Sequence, residues 1–211
     1  MRFFNINFYD KVEKKCCLFL CIFILYVIVN FTAKIFIPVI GVMKSLQLTF
    51  LIEFILGVVV FVCFFAKAES MSFVKIKTAF VALCILLLIQ FAAYSIRAHE
   101  AGFMTITRDN ILTILMMVLI VPFFEEVFYR GCLLGFLKPL GSDIVFPIMA
   151  TSVLFSLMHM QYNSLTDHFI LFFISVILCL VRIMTKSLLL PYTLHMLMNL
   201  FAFAICIQSF Y

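Results

Sequence analysis

Apolar residues arrive in this chain as runs of roughly 20, separated by short polar connectors, and any fold must accommodate that spacing. At 1.5 Å per residue, about 20 apolar residues in a helix cross the roughly 30 Å hydrocarbon core of a bilayer. A water-facing shell is out of reach. Of the 211 residues 66% are hydrophobic and 12% charged, against about half and about one quarter in soluble domains. The expected fold is all-α: a polytopic transmembrane helical bundle of about seven spans, at about 16–37, 48–66, 78–97, 111–137, 144–161, 168–184 and 187–208. No internal repeat or soluble domain interrupts it, so residues 1–211 read as one membrane domain with a 15-residue N-terminal segment. The 67–77 and 97–110 connectors have room for short interfacial helices.

The charges set orientation. Seven spans put the N-terminal segment (Arg2, Lys11, Lys14, Lys15), Lys67, Lys75, Lys77, Lys138, Arg182 and Lys186 on one side, ten in all. Lys34, Lys44, Arg97 and Arg108 fall on the other. The positive-inside rule then predicts a cytoplasmic N-terminus and an external C-terminus. The net charge of +5 is spread over segment ends rather than along a basic stripe, which argues against a nucleic-acid partner. The first apolar run is too long for a signal-peptide core and no small-x-small cleavage site follows it. The Asn30-Phe31-Thr32 sequon inside that run reads as accidental. Of the eight cysteines, all but Cys16 and Cys17 sit well inside apolar runs, and no C-x-x-C pair occurs. They read as packing residues.

One stretch breaks the apolar rule. In Val121-Pro122-Phe123-Phe124-Glu125-Glu126-Val127-Phe128-Tyr129-Arg130-Gly131, two acids and an arginine lie within a span. Each central charge costs about 2.5–3.5 kcal/mol to insert, so three cost roughly 8–10 kcal/mol before pairing. Glu126 and Arg130, at i and i+4 with the acid N-terminal, form a favourable helical ion pair. Glu125 lies about 100° round the helix and needs partners from elsewhere. His159 closes the fifth span, and His195 and Asn199 share a face of the last. Polar groups in a bundle turn to its interior or a wet cavity. If these faces converge, a carboxylate beside imidazoles can draw a proton from water, and an imidazole or amide can stabilise the resulting oxyanion. The bland alternative is polar side chains hydrogen-bonding helices together, at about 0.6–2 kcal/mol each.

At these residues the chain resembles the CAAX prenyl endopeptidase type 2 and bacteriocin-processing family, abbreviated CPBP, also called Abi or glutamic-type intramembrane proteases. The motif Glu-Glu-x-x-x-Arg is met by Glu125, Glu126 and Arg130. Phe-x-x-x-His is met by Phe155 and His159, and His-x-x-x-Asn by His195 and Asn199. The resemblance covers about 111–200; the first three spans match only as generic membrane helices. It implies an intramembrane endopeptidase with its site in a conical cavity within the membrane. Glu125 would be the general base and His159 would position the water. His195 and Asn199 would stabilise the oxyanion, with Glu126 and Arg130 orienting the site. No cofactor is expected. The alternative is a divalent metal such as zinc on Glu125, His159 and His195, although no His-Glu-x-x-His helix exists. A Gly-x-Ser nucleophile and a Gly-x-Gly-Asp motif are also missing from the sequence.

The family association implies a peptide or a lipidated, membrane-associated protein as substrate, in CAAX-protein maturation, bacteriocin processing or self-immunity. Small size and the lack of organelle signals point to a prokaryotic inner membrane. The competing function is a non-enzymatic transporter or peptide-binding scaffold using the same buried cluster; proton relays are built from such groups, although transporters tend to show paired halves. Four further readings remain. Glu53 is expected near a helix end in the headgroup region. His99, Glu100, Arg108 and Asp109 are expected to be solvated. Thr166 or Asp167 is the expected cap of the sixth span, with His168 not a ligand. Pro122 is expected to kink its helix and free a carbonyl.

Overall fold

In the computed structural model, residues 6–70, 72–97, 107–108, 110–141, 143–162 and 164–208 are described. His99, Glu100 and Asp109 lie outside them. The described residues form helices α1 (Ile6–Ile40), α2 (Val42–Phe64), α3 (Phe73–Arg97), α4 (Ile111–Leu119), α5 (Val121–Glu125), α6 (Leu134–Leu137), α7 (Val145–Met158), α8 (Leu165–Thr185) and α9 (Leu189–Gln208). A wide π-helical segment, Glu126–Leu133, joins α5 to α6. Thus α4 to α6 make one interrupted span, and seven apolar segments result. Five are long and apolar enough to cross a membrane; Val145–Met158 and Leu189–Ile205 are shorter. Leucines, isoleucines, valines and phenylalanines stand exposed along α1, α2, α3 and α8, as lipid-facing surfaces require. The protein is a polytopic helical membrane protein.

The break between α1 and α2 is tight. Gly41 carries it at φ 81°, a left-handed conformation that glycine adopts without Cβ strain. With Gly41 as cap, α2 starts at Val42, several residues before the expected 48. That shift overturns the reading of Glu53: it lies near the middle of α2, fully buried. Its Oε1 accepts a hydrogen bond from Asn30 Nδ2 at 3.1 Å. The sequon asparagine is therefore an interhelical donor.

The interrupted span is the hub. Over half of its apolar window is buried (56%), against 22% in each of the first three helices. At Gly57, α2 approaches so closely that a Cβ would stand 3.0 Å from Phe124 Cβ. Aromatic rings fill the seam: Tyr26 stacks on Phe128 at 4.3 Å, and Phe23 meets Tyr129 edge-on at 5.3 Å. Pro122 sits in the first turn of α5, after a break at Ile120. A proline there loses nothing, since that N–H is unpaired anyway. The larger departure from α geometry follows it, as the π-helical turns, which the sequence did not announce.

At the other end, Ser164 caps α8 by accepting from Thr166 N–H at 3.2 Å, in place of Thr166 or Asp167. His168 binds the Ser156 and Tyr162 carbonyls at 3.0 and 3.2 Å. It staples α8 to the turn after α7.

Candidate functional site

Four segments of the motif half deliver six polar groups to the same place. Glu125 ends α5, Glu126 and Arg130 lie on the π-helical turns, His159 follows the last residue of α7, and His195 and Asn199 lie on α9. A cavity of about 580 Å³ is lined by Glu125, His159, His195 and Asn199. Tyr26, Asn30, Phe50 and Gln90 add walls from α1, α2 and α3.

Behind the cavity wall is a closed layer. Glu126 Oε1 accepts from Arg130 Nη1 and from His195 Nδ1, both at 2.9 Å. Arg130 Nη2 donates to Ser175 Oγ at 2.9 Å. All four side chains are buried, so the charge-assisted bonds act at low dielectric and hold one geometry. The i,i+4 pairing survives the π-helical winding. Among the described residues, Glu126 Oε2 and Arg130 Nε are buried without a hydrogen-bond partner.

In front of it is an open layer. His159 Nε2 stands 3.8 Å from Glu125 Oε1, and His195 Nε2 stands 3.7 Å from Glu125 Oε2. Neither is a direct hydrogen bond. The tautomers follow from the other ring nitrogens. His159 Nδ1 lies 2.8 Å from the Phe155 carbonyl, which can only accept. His195 Nδ1 faces a carboxylate oxygen already held by arginine. Both Nδ1 atoms therefore carry hydrogen, and both Nε2 atoms turn lone pairs toward Glu125. With Glu125 ionised, three acceptors face one another, an arrangement that a shared donor such as a water molecule would satisfy. In chemical type the same three side chains are also metal donors. Among the described residues, however, no group of three or more His, Cys, Asp or Glu side chains meets the geometry for a metal ion.

Phe155 links the two layers. Its ring carries the Arg130 guanidinium at 4.5 Å and packs 4.5 Å from the His159 ring and 6.0 Å from that of His195. Asn199 Nδ2 donates to the Met117 carbonyl at 3.1 Å, which leaves its second N–H.

Residues 107–201 match the family model "Type II CAAX prenyl endopeptidase Rce1-like". The match takes in all three motifs and covers a little under half of the chain. An Escherichia coli protein described as an uncharacterized 24.3 kDa protein is 36% identical over 89 residues, which are 42% of this chain and 41% of that one. The match thus spans less than half the length of that curated relative. No solved structure matches.

Some contributors had little or no signal. Ser175 is one serine in an apolar helix, legible only as a polar interruption. Glu69, in the connector before α3, accepts the Leu188 N–H at 2.7 Å and the Ser187 hydroxyl. It caps the helix that bears His195, where a carboxylate also meets the positive helix end. Nothing local in the sequence pairs it with residue 187.

Proposed function

We propose that the protein is an intramembrane endopeptidase that cleaves a membrane-associated peptide or protein with a water activated by Glu125. The observation that carries this is the convergence of the two imidazole Nε2 lone pairs on the Glu125 carboxylate, in a cavity wide enough for a peptide. A water between them gives one hydrogen to an imidazole and one to Glu125. Transfer of the second to the carboxylate leaves hydroxide to attack the peptide carbonyl. The second N–H of Asn199 stabilises the oxyanion. His195 Nε2 accepts the hydrogen that the attacking oxygen keeps and takes it up when the product carboxylic acid ionises, with Glu126 facing the resulting imidazolium at Nδ1. Glu125 returns its proton to the leaving amine, and the bond breaks. Glu126, Arg130 and Ser175 position His195. No step uses a metal.

The cavity also has a side. Helix α7 has 14 residues, a rise of about 21 Å, so His159 stands below the membrane plane. Leu46, Gln161, Tyr162, Asp167 and Phe203, at that same end of the bundle, line the cavity. Lys15, Lys67, Lys138 and Lys186 stand at the opposite end. With that basic end cytoplasmic, the cavity opens outward, and the scissile bond is reached from outside a prokaryotic inner membrane.

Purified protein incubated with quenched-fluorescent peptide pools tests the chemistry. Glu125→Gln, His159→Ala and His195→Ala should each remove cleavage, and full activity in all three refutes the mechanism. Cleavage should survive 1,10-phenanthroline; loss restored by zinc would move the proposal to the metal form. Solute flux abolished by Glu125→Gln, with no proteolysis by the wild type, would favour a transporter. For sidedness, Tyr162→Cys in a cysteine-free variant should react with an impermeant maleimide added to intact cells.

A further inference from the structure

A second cavity, of about 400 Å³, lies at the opposite end of the bundle, where α1, α6 and α8 meet. Lys15, Lys138, Arg182 and Lys186 line it, together with Arg130, and among the described residues no Asp or Glu does. Of the acids around it, Glu126 is paired with Arg130 and Glu69 lies within electrostatic reach of Arg182. Glu69 is bound to Ser187 and Leu188, Asp143 caps Val145 and Phe146, and Glu13 is exposed on α1.

The floor is built rather than incidental. Phe65 lies where Gly131 has no side chain, with its ring carbons 2.8 and 2.9 Å from the position of a Cβ, and Phe19 lies at 3.0 Å from that of Gly135. The two rings touch at 5.7 Å. Lys15 Nζ stands 5.4 Å above Phe19, and the Arg182 guanidinium 5.7 Å from Phe65, so the floor holds two of the cations. Arg130, 1% exposed, reaches the cavity from the catalytic layer, and its Nε has no hydrogen-bond partner among the described residues. Helix C-termini account for part of this charge, since Lys138, Arg182 and Lys186 lie at the ends of α6 and α8. They do not account for Lys15, on another helix, or for the shared aromatic floor.

We propose that this cavity binds a phosphate-bearing anion, the headgroup of an acidic phospholipid or free phosphate, on the face of the bundle opposite the catalytic cavity. Basic pockets between membrane helices hold such headgroups, and each lysine near a membrane surface contributes about 1 kcal/mol. That corresponds to roughly fivefold in apparent affinity per lysine.

The full-length protein in nanodiscs provides the test. Thermal stability and lipid retained in native mass spectrometry are compared in phosphatidylcholine discs, in discs containing phosphatidylglycerol, and in phosphatidylcholine discs with inorganic phosphate. Phosphatidylglycerol should stabilise the wild type and be retained. Lys15→Gln/Lys138→Gln/Lys186→Gln, at exposed positions where folding is not at risk, should lose that response by roughly a hundredfold in apparent affinity. Lys67→Gln/Lys77→Gln, on the same face outside the cavity, should keep it. Stabilisation by phosphate alone, lost in the triple variant, supports the site with a soluble ligand. No response to either anion, or an equal loss in the Lys67/Lys77 variant, overturns the proposal. Because the readout is binding, it stands whether or not peptide cleavage is observed.

Discussion

The half of the chain that carries the motifs and the half that does not contribute different things to one cavity. Residues 107–201 bring the carboxylates, imidazoles, amide and guanidinium. Helices α1 to α3 bring no member of a motif. Yet Tyr26, Asn30 and Gln90 wall the cavity, and Glu69 caps the helix of His195. Chemistry is concentrated where polar residues interrupt apolar runs. The geometry that makes it usable is distributed over helices that look generic.

That contrast can be broken by substitutions in each half. Glu125→Gln should have the largest effect: a loss of at least about a thousandfold in cleavage rate, with thermal stability near that of the wild type. A large drop in stability instead would make Glu125 a structural group. Asn30→Leu should come next. It strips Glu53 of its partner, at about 1–3 kcal/mol, read from unfolding in detergent. Asn30→Leu/Glu53→Leu should recover most of that loss, which a catalytic role for the pair would not allow. Glu69→Ala should cost about 1 kcal/mol, as the loss of a helix cap does. Faster hydrogen exchange in the first turn of α9 would localise it. Phe91→Leu, on an exposed lipid-facing position, should change stability by less than about 0.5 kcal/mol.

Much of the fold was legible because lipid enforces a simple rule on run length. The polar residues of the site were legible for the converse reason, since a charge in a span must have a partner. The same rule failed at Glu53. There the sequence shows a run beginning near 48, whereas a left-handed glycine at 41 begins the helix earlier and draws the carboxylate to its middle. The π-helical winding was hidden because it comes from packing: Arg130 reaches Ser175 on α8 while Gly131 receives Phe65 from the end of α2. Neither contact has a sequence spacing that marks it. Glu69 was hidden by distance along the chain, 118 residues from Ser187.

The shortness of α7 has a consequence of its own. At about 21 Å of rise, α7 is shorter than a typical hydrocarbon core, so under the proposed function the reach from aqueous phase to scissile bond depends on how thick the surrounding lipid is. Longer acyl chains deepen the approach and shorter ones open it, with mismatch penalties of fractions of a kcal/mol per Å. Under the proposed function, acyl-chain length thus becomes a control on turnover that involves no residue of the protein.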